Sequence, residues 1–190
     1  NNTIADTADE QVTNTYLYAN YACTLSQHPD QKELAKETLQ KALNNITNTL
    51  KRSDLSQEDI KDLTYSEHFA NICLGMANER MNNLEEAEQA FVNAMKYDPT
   101  IIQVLLKLYQ LSRKMKSVEK QEHYLEIILK HYPNDLDTHL GVARFHLEQS
   151  NMDKVEQFAT SALALSKNRS VDALLMKAHV ATVRKQIETA

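Results

Sequence analysis

The stretch His68–Ile101, HFANICLGMANERMNNLEEAEQAFVNAMKYDPTI, decides the fold. It reads as two apolar-periodic helices with a polar break at Asn83 between them. Pro99 follows the second: a residue without an amide hydrogen ends one helix and tolerates the start of the next. The arrangement then returns. Pro99 and Pro133 stand 34 residues apart, and so do Asn83, Ser117 and Asn151, each inside a short polar break. Leu74, Leu108, Val142 and Met176 form an apolar column at the same spacing. Ala94, Ile128 and Ala162 form another, as do Met95, Leu129 and Leu163, while Ala90, Tyr124 and Phe158 make one of mixed size. A period near 34 residues with two amphipathic helices per unit is the signature of a helix-hairpin solenoid.

Outward from this unit, the spacing predicts helices near 9–27, 30–51, 65–82, 84–97, 101–115, 118–131, 135–149, 152–166 and 170–187. Thr64 and Glu67 read as a capping box, Thr100 and Gln103 repeat the pattern after Pro99, and Asp135 is placed to cap the helix after Pro133. The segment KRSDLSQEDIKDL, Lys51–Leu63, breaks the register. Its polar residues and the Ser56 cap predict a surface loop with a short or extended helix, a tolerated insertion sooner than a binding loop or hinge.

Within His68–Ile101 the chain resembles the tetratricopeptide repeat family. That family places a Leu-Gly pair in the first helix, Ala, Phe and Ala in the second, and Pro after it. Here these are Leu74-Gly75, Ala87, Phe91, Ala94 and Pro99, in register. The usual tyrosine is replaced by Asn78 and the usual large aromatic by Asn71. Units 102–135 and 136–169 keep the spacing with looser matches: Tyr109 and Gln121 replace small residues. A degenerate unit at 16–49 has Cys23, Ala35, Leu39 and Ala42 in the corresponding places. The resemblance implies an all-α, right-handed superhelical solenoid of antiparallel helix pairs. Its expected divisions are 1–67, with one degenerate repeat and the insertion, then 68–101, 102–135, 136–169 and a final helix at 170–187, in one continuous domain. Gly75 and the alanines let the paired helices approach closely, and Phe91 fills the gap they leave.

Composition narrows the function. Only 2 Gly and 3 Pro in 190 residues argue against an all-β fold, which spends both on turns. A net charge of −5 without a basic block disfavours nucleic acid as a partner. No apolar run is long enough to span a membrane. The chain opens on Asn and is expected to be a processed product or a fragment, soluble and cytoplasmic sooner than exported, with a leader or anchor removable upstream. Cys23 and Cys73 share no metal-binding spacing and are expected to be small buried thiols. No phosphate loop, HExxH, GxSxG or kinase set is present. His139 and His146 lie two turns apart, too far for a bidentate metal grip, and Glu85, Glu86 and Glu88 sit in a first helical turn where carboxylates complement the macrodipole. No enzyme, metal or cofactor is expected.

In the tetratricopeptide family the first helix of each pair lines the inner wall. The resemblance therefore puts the column Ile72, Leu106, Leu140 and Leu174 on that wall, flanked by Phe69, Met76, Gln110, Arg113, Arg144 and Leu147. Such an aliphatic ridge suits an amphipathic helix or an extended apolar peptide. Alternatively, the same side chains pack between neighbouring helices. Some family members grip a partner's terminal carboxylate with Lys and Asn side chains. The corresponding residues here, Ile72, Met76, Lys107, Asp137 and Gly141, or Asn20, Thr24, Cys73, Gln103 and Lys107, do not match. The expectation is a noncatalytic adaptor or scaffold binding a protein or peptide. Homo-oligomerisation within a larger assembly is one alternative; a regulatory block of an enzyme whose catalytic part lies elsewhere is another. The last helix carries Leu174, Leu175, Met176, Ala178, Val180, Ala181 and Val183 over more than one stripe, and is expected to be covered on more than one side.

Overall fold

The computed structural model describes residues 8–25 and 27–189, and all regular structure among them is helical. The elements are α1 (Ala8–Leu25), a 3₁₀ turn (Pro29–Gln31), α2 (Lys32–Thr49), α3 (Gln57–Arg80), α4 (Leu84–Ala94), α5 (Ile102–Lys114), α6 (Val118–His131), α7 (Leu136–Glu148), α8 (Met152–Leu165) and α9 (Val171–Glu188). None of the described helices is long and apolar enough to cross a membrane. The predicted helices are found close to their expected bounds, with one exception near the insertion. Ser26, inside the first predicted helix, lies outside the described residues.

The exception has a chemical cause. Ser56 Oγ accepts from the Asp59 amide at 3.1 Å, and the Asp59 carboxylate accepts from the Ser56 amide at 2.8 Å. This reciprocal capping box starts α3 eight residues before the expected position and leaves only 50–56 as the break. Thr64 is therefore no cap. It lies inside α3, where its hydroxyl donates back to the Ile60 carbonyl at 2.6 Å. Thr100 is not a cap either: its amide and hydroxyl both donate to Asp98 Oδ1, at 2.8 and 2.7 Å, and the N-cap position of α5 falls on Ile101, which has no side-chain cap to offer. Asp135 does cap α7, accepting from the Thr138 amide at 2.8 Å.

The 34-residue period is also written in the backbone. Asn82, Lys116 and Ser150 have φ of 62°, 56° and 58°, the left-handed conformation that stops a helix. The residue after each caps the next helix by position. Ser117 and Asn151 also do so by hydrogen bond, to the Lys120 amide at 3.4 Å and the Lys154 amide at 3.3 Å. Left-handed backbone strains any residue with a Cβ. Ser150→Gly is thus expected to raise the unfolding free energy by about 0.5–1 kcal/mol. Urea unfolding checks this; no gain would mean the Ser150 turn is not held in this conformation.

The chain divides into two compact units, 1–116 and 117–190, and the divide falls between α5 and α6. In the first unit α1 pairs with α2 and α3 with α4, and the short breaks make each pair antiparallel. Its core joins Ala19 and Ala22 of α1, Leu39 and Leu43 of α2, and Ala70, Cys73, Leu74 and Ala77 of α3. Phe91 is fully buried, and a Cβ built on Gly75 would lie 2.8 Å from its ring, so the close approach expected from the sequence is present. In the second unit α7 and α8 form the antiparallel pair, and α9 closes it through Ala173, Met176 and Val180. Arg184 ties α9 to α8 by bonding both Glu156 and Asp153, at 2.5 and 2.8 Å.

Candidate partner-binding surfaces

Amphipathic helices bury one stripe and leave the shoulders of that stripe half open, and partner-binding side chains are sought on those shoulders. In the first unit α3 and α5 provide them. Ile72 and Met76 are half-buried, with Met76 packed against the core, while Leu106 on α5 is 43% exposed. Gln110 and Arg113 are exposed further along α5. Phe69 packs against the core and beneath Tyr16 of α1, with ring centroids 6.0 Å apart. Glu79 of α3 receives Lys107 at 3.3 Å and Lys114 at 2.5 Å from α5. Burial alone would push the Glu79 carboxyl up, but the Lys114 hydrogen bond and the charge of Lys107 hold it below the usual carboxylate range. The two lysine ammonium groups are half-exposed and fix α3 against α5.

In the second unit the column does not keep its exposure. Leu140 is only 9% exposed and belongs to the packed core, so it forms no open part of a stripe. Leu147 is half-buried against the same core. Arg144 is exposed and faces Asp172 of α9 at 3.5 Å. Leu174 is 49% exposed, and with Val171 and Leu175 it gives α9 an outward apolar face; Val183 is half-buried and Val180 inward. Val180 packs as core, while Val171, Leu174 and Leu175 are exposed.

A second feature of this unit was not legible in the sequence. A cavity of about 260 Å³ opens between α6, α7 and α8. Leu125, Leu129, Val142, Phe145 and Phe158 line it, with Glu122, Glu126, Lys154 and Gln157 also bordering it. Glu122 and Lys154 pair across it at 3.3 Å. The buried His146 ring stacks on Phe158 with centroids 5.9 Å apart, and its pKa is lowered by burial first and by the charge of Lys154 second. Among the described residues no group of three or more His, Cys, Asp or Glu is placed to hold a metal ion.

No protein-family profile matches the chain, and no curated protein matches it in sequence. Among solved structures it is similar to a double mutant of MamA RS-1, at 13% identity and a TM-score of 0.45, over 91% of this chain and 98% of that one. It is also similar to MamA from Desulfovibrio magneticus RS-1, residues 41 to the end, at 14% identity and 0.43, over 89% and 96%. The third is yeast Tom70, at 14% and 0.42, over 95% of this chain and 50% of that one. With TM-scores below 0.5, none of these bears on function, and the helix pairing described above stands on this chain's own packing.

Proposed function

We propose that this chain is a noncatalytic protein-interaction module of the tetratricopeptide type, binding a helical or extended peptide along the first helices of its pairs. The observation that carries the reading is the exposed Leu106 on α5 together with half-buried Ile72 and Met76 on α3, two helices tied by the ion pairs of Glu79 with Lys107 and Lys114. An apolar strip with charges on the same helices matches the anchors and flanks of an amphipathic segment. Leu106→Glu places a carboxylate on that strip without entering the core. It is expected to weaken capture of protein partners from native extract by at least about tenfold, roughly 1.4 kcal/mol. The helical circular dichroism should stay unchanged. Undiminished capture of the same proteins by the folded variant would sink this reading.

A specific observation favours self-assembly as a second reading. Val171, Leu174 and Leu175 form an exposed apolar face on α9. Light scattering after size exclusion separates the two readings. A concentration-dependent oligomer that Leu175→Glu returns to monomer supports assembly through α9, and a strict monomer removes it.

A further inference from the structure

Two helices come close only where their facing side chains are small. Along the contact of α1 with α3, Ala19 and Ala22 on one side and Ala70, Cys73 and Ala77 on the other are fully buried. In this seam the two cysteines, far apart in sequence, meet. Cys23 packs against the core cluster that contains Cys73, and the two thiols share a hydrogen bond. Cys73 is buried, whereas Cys23 is half-exposed and so within reach of solvent. A disulfide needs Cα atoms roughly 4.4–6.8 Å apart, a separation that packed helices offer across alanine-sized contacts. Neither sulfur is in a disulfide.

We propose that Cys23 and Cys73 form an oxidation site, in which Cys23 reacts with a hydroperoxide and Cys73 closes a disulfide between α1 and α3. The environment divides the labour. The hydrogen bond with Cys73 lowers the Cys23 pKa to about 7, with the Arg80 charge adding to it against the opposing effect of burial. The same hydrogen bond and burial push the Cys73 thiol far up, so it keeps its proton. The Cys23 thiolate attacks the terminal oxygen of the hydroperoxide. The O–O bond breaks and the alcohol leaves, or water when the oxidant is hydrogen peroxide. Cys23 becomes a sulfenic acid. Cys73 sulfur then attacks Cys23 sulfur, the S–O bond breaks, and the sulfenic hydroxyl departs as water with the Cys73 proton. The two sulfurs together lose two electrons and the peroxide gains them.

The test is made on the whole chain with hydrogen peroxide. Wild-type protein should lose both free thiols together and yield, without reduction, one peptide cross-link joining Cys23 to Cys73 within a single chain. Cys73→Ala preserves the small buried volume. It should trap Cys23 as a sulfenic acid that dimedone captures, and it should move the pH midpoint of Cys23 alkylation upward, towards the ordinary thiol range. Cys23→Ser should leave Cys73 unreactive in the folded protein. Two thiols surviving excess peroxide, cross-links only between chains, or an unchanged alkylation profile in Cys73→Ala would each overturn the proposal.

Discussion

Phe91→Ala is expected to cost about 3–5 kcal/mol of unfolding free energy, the range for truncating a buried aromatic ring. The ring is fully buried and sits against Gly75, so the truncated site has neighbours on every side and little room to collapse. Ala87, Ala90 and Ala94 share its helix and are too short to reach into the void. Denaturant unfolding measures the loss. Hydrogen exchange should show the loosening spread through α3 and α4, because each helix of a pair relies on the other for burial. A loss below about 1 kcal/mol would mean that Phe91 does not carry the contact between these helices.

Gly75→Ala is expected to destabilise by about 1–3 kcal/mol, although alanine is the better helix former. Its methyl would stand 2.8 Å from two ring carbons of Phe91 and 2.9 Å from a third, and the ring, buried on all sides, has nowhere to move. Gly141→Ala is the built-in control. A Cβ there meets nothing within 4 Å, so helix propensity alone decides and the change should stabilise by about 0.5–1 kcal/mol. Opposite signs for one chemical change at two helical glycines would separate packing from propensity. A gain at both positions would show that α3 and α4 are further apart than described.

The sequence made the pairs legible where a residue has one local job. Asp135 caps, Gly75 admits a ring, and Ser117 and Asn151 mark breaks, because each depends on near neighbours in the chain. Competing local signals were less readable. Ser56 and Thr64 both head plausible capping boxes, and α3 starts at Ser56, drawing Leu63, fully buried, into the helix. Surfaces were harder still. Leu106 and Leu140 occupy the same place in the repeat, yet the first is exposed and the second is core, because α8 and α9 supply Leu140 with a packed cluster. A column at a fixed spacing assumes that every copy has the same neighbours, which fails between internal and final helices. The cavity lined by Leu125, Val142 and Phe158 draws on three helices, and no periodicity in any one of them announces it. The meeting of Cys23 with Cys73 was equally silent, since no spacing rule connects a degenerate first pair to the second.

The left-handed stops at Asn82, Lys116 and Ser150 share a dihedral angle and no side-chain chemistry. An amide, an ammonium and a hydroxyl do the same work, so the punctuation between consecutive helices is conformational and indifferent to spelling. Such joints are interchangeable parts. The tripeptide Met81-Asn82-Asn83 transplanted onto Gln149-Ser150-Asn151 would keep the phase of α7 and α8, whereas inserting one residue there would rotate every side chain that follows by about 100°.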